Sequence, residues 1–477
     1  MAITPNYVPA PAPAKQTLAS AYIDFTSTGS NSANWAQQYL PDLMEQEAEV
    51  FGDRTISGFL SMVGAEESMT ADQVVWSEQG RLHLAYEVTF ASGPVFNVDK
   101  DADGVVPDPY SSADTSKAHG IRPGDMLVVA TATKTFTAYA TAVDADGEVS
   151  VSQYNTESGF PTSGTAKVLV FGSEYAKGQE GRAGANTPGF KSFDNKPIII
   201  KDKYEISGSD ASQIGWVEVS GEEGQNGYLW YLKAEGDTRA RFTDYLEMTM
   251  VESQKRTATA FNGHRGGTIE GTEGLFAALE ARGNESTGIT GVNAATDLAE
   301  FDAILAEFDK NGSIEENMMF LNRGTSLAID DMLASMNSYG AGGTSYGVFN
   351  NDADMALNLG FSGFRRGSYD FYKSDWKYLN DASTRGIIND FNTVGAVRGV
   401  IVPAGVSSVY DEQLGRNLKR PFLHVRYRAS QTDDRRLKTW VTGSVGAVTS
   451  DLDAMEVNYL SERCLVVQGA NNFMLLN

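Results

Sequence analysis

Residues 237–253 read DTRARFTDYLEMTMVES and residues 267–284 read GTIEGTEGLFAALEARGN. In the first stretch Phe242, Tyr245, Leu246 and Met250 recur at helical spacing, which places them on one stripe of an amphipathic helix. Arg239, Asp244, Glu252, Lys255 and Arg256 supply the polar faces, Thr238 is placed to cap the start, and Asn262-Gly263 to stop it. A helix over Thr238–Phe261 would be about 36 Å long at about 1.5 Å per residue. Length combined with a narrow apolar stripe suits a brace on which other elements pack. The second stretch predicts a short helix marked by Leu275, Phe276 and Leu279 and ended at Gly283.

Downstream the pattern becomes mixed. Thr296 is placed to cap a helix carrying Leu298, Phe301, Leu305 and Phe308, which ends at Asn311-Gly312. Met318–Leu321 reads as a short buried strand, and Ser326–Ser338 as a helix with Leu327, Met332, Leu333 and Met336 inward. Gly399–Val402 and Phe422–Tyr427 read as further strands, so the region from about 291 to 450 is expected to be α/β. The apolar stretch Met455–Leu476 is strand-like and is expected to return to the base of the long helix.

Upstream, Val74–Phe90 alternates as a strand does, and Gly93-Pro94 breaks it. Its partners are expected far ahead, at Ile198–Ile206 and Gly215–Val219. The intervening residues then read as an insert. Met126–Ala132, Thr135–Val143 and Lys167–Phe171 are strand-like, and Asp146-Gly147 offers the positive-φ residues of a tight hairpin. The first 75 residues or so read as an arm. Its Pro/Ala start, MAITPNYVPAPAPAK, suits an extended segment rather than a secretory leader.

Composition narrows the function classes. The chain has 477 residues, enough for several compact units, with 41% hydrophobic and 21% charged residues. No apolar run approaches the roughly 20 residues that span a bilayer. The net charge of -24 argues against a protein that coats nucleic acid through a general basic surface. The single cysteine, Cys464, lies in the apolar run CLVV and reads as a buried thiol. His83, His119, His264 and His424 have no metal-ligand spacing, and no cofactor or metal is expected.

Three motifs invite chemistry. Gly343-Thr344-Ser345-Tyr346-Gly347 matches a nucleophile elbow, but a helix end and a glycine cluster precede it where a strand is needed. Asp99, Asp101, Asp103 and Gly104 resemble half a calcium loop; Pro107 and Tyr110 stand where later ligands belong, which makes an acidic turn the better reading. Tyr369, Phe371, Tyr372, Trp376 and Tyr378, with Lys373 and Lys377 among them, could stack on bases or sugars, and more simply fill a core or an interface. None of the three supports a catalytic assignment.

The wording of several long stretches resembles the major capsid proteins of tailed bacteriophages that have the Hong Kong 97-type fold. These are the two stretches already quoted, IEENMMFLNRGTSLAIDDML at 314–333, YGVFNNDADMALNLGFSGFRRGSYDFYKSDWKYLND at 346–381, and RPFLHVRYRASQTDDRRLKTWVTGS at 420–444. They look closest to the crAss-like and related large marine phages. The resemblance implies an α+β fold: an N-terminal arm (1–73), an extended β loop (74–93 and 190–231), a spine helix with a peripheral domain (232–290 and 451–477), and an α/β axial domain (291–450). The insert at 94–189 is then an extra all-β domain on the extended loop, outside the minimal fold and facing outward. The spine helix would bury Phe242, Leu246 and Met250. The implied function is a virion shell of hexamers and pentamers of this chain, made in the host cytoplasm and enclosing double-stranded DNA without sequence-specific contacts. A separate scaffolding protein, a portal and decoration proteins are the implied partners. Rival readings are a tail or surface adhesin that binds glycan, and a serine hydrolase using Ser345.

Charge suggests where copies meet. Asp42–Glu78 carries nine acids and one base, a net of -8, and Arg416–Lys438 carries eight bases and two acids, a net of +6. An arm with little core of its own could lay Leu40, Leu43 and Phe51 on a neighbouring subunit. Opposite charge would then set the register, with Glu45 and Glu49 facing Arg435, Arg436 and Lys438. The plainer alternative is two unrelated solvated faces.

Overall fold

The computed structural model describes residues 58–60, 65–102, 104, 119–144, 147–182, 190–211, 218–220, 226–256, 261–264, 266–289, 294–338, 363–391, 396–404, 406–411, 416–445 and 448–477. The chain divides into two compact units, one made of residues 1–74 and 195–477 and the other of Val75–Asp194. In chain order β1 (Ala65–Met69) belongs to the first unit.

The second unit runs through β2 (Val74–Gln79), β3 (Ala85–Phe90), β4 (Val95–Asp101), β5 (Asp125–Ala130), β6 (Thr135–Val143), β7 (Val149–Gln153), β8 (Gly164–Ser173) and β9 (Phe190–Asn195). Strands β3 to β8 close into a barrel in the order β3-β4-β7-β6-β5-β8, so none of them presents a free edge. Strict alternation builds its core. Phe136, Ala138 and Ala140 of β6 point inward against Leu127, Val129, Val149, Val151 and Val168, while Thr135 and Thr137 point out. Gly147, at φ 81°, turns β6 into β7 as the sequence suggests; Asp146 lies outside the described residues. Two expectations are corrected. Val74–Phe90 is two strands and not one: β2 pairs with β9, and β3 pairs with β4 and β8. The all-β unit therefore extends beyond 94–189 and takes in Ala85–Phe90, because the inward Val88 and Phe90 complete the barrel core.

His119 sits buried at one end of this barrel. Its Nε2–H donates to the Gly147 carbonyl at 3.0 Å and its Nδ1 accepts the Ile121 N–H at 3.3 Å. Both nitrogens are thus committed in the neutral form. Burial, with the Arg122 charge added and only partly offset by the Gly147 bond, holds its pKa below the ordinary 6.5. The unfolded chain then takes up the proton first. Stability is full above pH 6.5 and is lost as pH falls through the lowered folded value. Because the barrel owns its core, the fragment 75–194 is expected to melt cooperatively by itself. Its melting temperature should drop between pH 7.5 and pH 5 by more than that of a His119→Gln fragment; equal slopes would contradict the assignment.

The first unit resumes at β10 (Ile198–Ser207) and the long helix α1 (Leu229–Glu252), followed by α2 (Leu275–Arg282), β11 (Asn284–Ser286), α3 (Ala294–Asn311), β12 (Glu316–Leu321), α4 (Arg323–Ser338), β13 (Gly363–Arg366), β14 (Tyr369–Asp375), β15 (Gly399–Pro403), β16 (Leu423–Arg428), β17 (Lys438–Gly443), β18 (Ala454–Val467) and β19 (Met474–Leu476). A six-stranded sheet, β11-β19-β15-β12-β14-β13, lies at the centre of the α/β part. Both its faces are covered, which explains the uninterrupted apolar run of β15. Met319, Leu321, Ile401, Met474 and Leu476 face α3 and α4 with Phe301, Phe308, Ile329 and Met332. Phe320, Val400, Val402 and Leu475 face the other way, toward α2, the end of α1 and Trp376. A second sheet, β1-β16-β18-β10 with β17 also on β18, is organised by the 14-residue β18, which pairs with β10 over ten residues.

The expected α/β region is present, with altered membership. Asn284–Ser286 and Met474–Leu476 join its sheet from outside 291–450, while β16 and β17 leave it to pair with β18. Likewise Ile198–Ile206 pairs with the C-terminal β18 and not with 74–90.

The long helix covers 24 residues, but it starts at Leu229 and stops at Glu252. Thr238 is inside it, its hydroxyl donating to the Ala234 carbonyl at 2.8 Å, and so does not cap it. Beyond Glu252 the backbone is drawn into other bonds. The Gly274 N–H donates to the Ser253 carbonyl at 2.7 Å and the Arg256 N–H to that of Glu270 at 2.9 Å, so 253–256 leaves the helix. Phe242, Leu246 and Met250 are buried as expected, whereas Tyr245 is 44% exposed. Two smaller corrections follow the same logic. α3 begins before Thr296, and Leu327 is 52% exposed because the inward stripe of α4 runs through Ala328, Ile329, Met332 and Leu333. Gly283 does end α2: a Cβ there would stand 2.9 Å from the Leu279 carbonyl oxygen.

Candidate assembly surfaces

The residues nearest the N-terminus that the structure describes are held by the spine-like helix. Phe59 is buried, stacked on Trp376 at 4.5 Å and set edge-on to Phe320 at 4.6 Å. Glu247 of α1 receives the backbone, its two carboxylate oxygens accepting the N–H groups of Gly58 at 2.8 Å and Phe59 at 2.9 Å. Burial pushes the Glu247 carboxyl up, against the lowering effect of these donors. An apolar plug and a buried carboxylate thus fix this segment with no exposed charge. Neither residue was singled out from sequence, since the partners are 188 positions apart and SGFLSM carries no recognisable pattern.

A second contact follows at once. β1 pairs in parallel with β16, Ala65 opposite His424 through Met69 opposite Arg428. Charges line this junction. Glu67 pairs with Arg426 at 2.7 Å; Glu66 pairs with Arg436 and, at 3.6 Å, with Arg463; Asp72 pairs with Arg428. Arg463 is largely buried, its side chain also donating to the Ser461 hydroxyl and the Arg436 carbonyl, both at 2.9 Å. Part of the acidic segment therefore does meet the basic segment, within one chain. A cleft of about 720 Å³ opens beside it, lined by Leu60, Glu66, Leu246, Glu247, Arg436 and Arg463 among others.

The basic candidates all have partners in the chain. Arg435 and Arg428 share Glu462 at 2.7 and 3.1 Å, Arg436 takes Glu66, and Lys438 takes Asp433 at 2.6 Å. Leu40, Leu43, Glu45, Glu49 and Phe51 lie outside the described residues, as do Ser345 and Asp103. Asp99 accepts the Thr89 hydroxyl at 2.5 Å. Among the described residues no group of three or more His, Cys, Asp or Glu is arranged to hold a metal ion, and no helix is long and apolar enough to cross a membrane. Cys464 is buried, which pushes its thiol up to about 12. Of the aromatic set, Tyr369, Phe371, Trp376 and Tyr378 are buried in the two cores of the α/β sheet and only Tyr372 is largely exposed; Lys373 is paired with Asp330 at 2.5 Å.

No family model matches the chain, and no curated protein does. Solved structures similar to it include the capsid of the cyanophage P-SCSP1u, 8% identical with 98% of each chain covered and a TM-score of 0.42. The mature capsid of bacteriophage PhiM1 is 9% identical, with 95% of this chain and 96% of that one covered and a TM-score of 0.39. A structure from Gordonia phage Cozz is 9% identical, with 95% and 97% covered and a TM-score of 0.38.

Proposed function

We propose that this chain is a structural, non-enzymatic subunit that self-assembles into the icosahedral shell of a tailed phage around packaged double-stranded DNA. The observation that carries the reading is the way the end of the chain is used. β18 backs the long helix through Val457 and Tyr459 against Phe242 and Leu246, and β19 then completes the α/β sheet. That is the order the sequence resemblance implies: arm, extended strands, spine helix, axial sheet, returning C-terminal strands. In this reading Leu40, Leu43 and Phe51, which lie outside the described residues, would be buried on a neighbouring copy. Exposed apolar residues such as Ile199, Ile387, Ile388 and Val448 would be covered between subunits. Hexamers and pentamers of the chain are the building blocks, helped by a separate scaffolding protein and joined by a portal and decoration proteins.

The barrel unit is not needed for this core, and we place it on the outside of the shell. Sedimentation of the purified chain distinguishes the readings. A shell subunit gives rings of five and six copies or far larger closed particles; a soluble monomer that reacts with a serine-directed probe at Ser345 would refute it.

A further inference from the structure

The two contacts that hold the start of the described chain differ in kind. At Phe59 the hold is apolar and buried. At β1 it is neither: no side chain of Ala65–Met69 is buried, and its pattern alternates between half-buried and exposed. Among the described residues β1 is the last strand of its sheet and pairs on one side only, with β16. Besides that ladder, what fastens it is charge. Glu66, Glu67 and Asp72 meet Arg436, Arg463, Arg426 and Arg428, and the Ala429 N–H closes the end on the Met69 carbonyl at 3.0 Å. Two of the four guanidinium groups have holds apart from β1: Glu462 pairs with Arg428, and Ser461 with the Arg436 carbonyl binds Arg463. Half of the seat's charge is therefore positioned independently of its occupant.

We propose that β1 is an electrostatic strap, which leaves the β16 edge as ionic strength rises while the sheet behind it and the Phe59 anchor remain folded. Pairs that are partly exposed to water lose attraction as the screening length shrinks from about 10 Å at about 0.1 M salt to about 3 Å at about 1 M. Apolar burial is not weakened by the same change, and salt that is excluded from protein surfaces strengthens it. Release would uncover the hydrogen-bonding edge of β16, flanked by Arg426, Arg428, Arg436 and Arg463, as a seat for an extended acidic strand. The inference rests on the first unit alone and holds whether or not the chain builds shells.

Amide hydrogen exchange of the full chain tests it. Between about 0.1 M and about 1 M sodium chloride, exchange at residues 66–69 is expected to accelerate about tenfold or more. Amides of β18 and the Phe59 amide bound to Glu247 should change less than about twofold over the same range. The double variant Glu66→Gln with Glu67→Gln should exchange quickly at 66–69 already at low salt. Protection at 66–69 that ignores salt, that falls only together with β18, or that survives the double substitution would overturn the proposal.

Discussion

Leu246→Asp is expected to prevent stable folding of the first unit. Leu246 is buried between α1 and the β10–β18 ribbon, packed with Phe242, Val457 and Tyr459 and flanked by Ile200 and Tyr204. A carboxylate there exchanges apolar contact with Phe242, Val457 and Tyr459 for an ion, beside Glu247, which is already a buried carboxylate. Losing the transfer energy and leaving a charge uncompensated together cost about 3–5 kcal/mol. That is a large part of the roughly 5–15 kcal/mol of a typical domain. Leu246→Met keeps volume and apolarity and should cost less than about 1.5 kcal/mol. Soluble yield and denaturant midpoints of the two variants check this. A Leu246→Asp protein as stable as the Met variant would remove the helix–ribbon packing from the account.

Phe59→Ala is expected to release the N-terminal segment. The ring lies in the core shared by α2, the end of α1 and the α/β sheet, stacked on Trp376. Truncating a buried phenylalanine costs about 3–5 kcal/mol, partly from lost transfer energy and partly from the cavity left behind. Here the penalty has an escape. Once the plug is gone, the apolar part of the hold is lost and polar bonds such as the two N–H bonds to Glu247 remain at residues 58 and 59. The segment should then detach before the core collapses. The expected signature is rapid proteolysis ahead of residue 65 with β18 still protected. Cleavage unchanged from wild type would contradict an anchoring role for Phe59.

How much of this was legible in the residues depends on how local the determining contacts are. The helix α2 was read to within a residue, because Leu275, Phe276, Leu279 and Gly283 state their stripe and stop within nine positions. The buried face of the long helix was legible for the same reason, and its ends were not. Its last turn is set by bonds from Ser253 and Arg256 to 270–274, which no helical periodicity records. Strand existence was legible and strand partnership was not. β10 and β18 are joined across some 250 residues, and alternation in Val74–Phe90 conceals a change of partner between β2 and β3. Charge behaved similarly. The sums over 42–78 and 416–438 announce an attraction, but a sum carries no information on whether the two segments belong to one copy or to two. The structure satisfies Glu66, Glu67 and Asp72 within the chain, whereas Glu45 and Glu49 lie outside the described residues.

The central claim is that this chain builds a closed shell, and electron microscopy of the full-length protein, expressed and purified by size, tests it most directly. The account predicts hollow icosahedral particles whose walls resolve into five- and six-membered rings of this chain, with the barrel unit on the outer surface. Open tubes, fibres, or only small soluble oligomers under those conditions would contradict it.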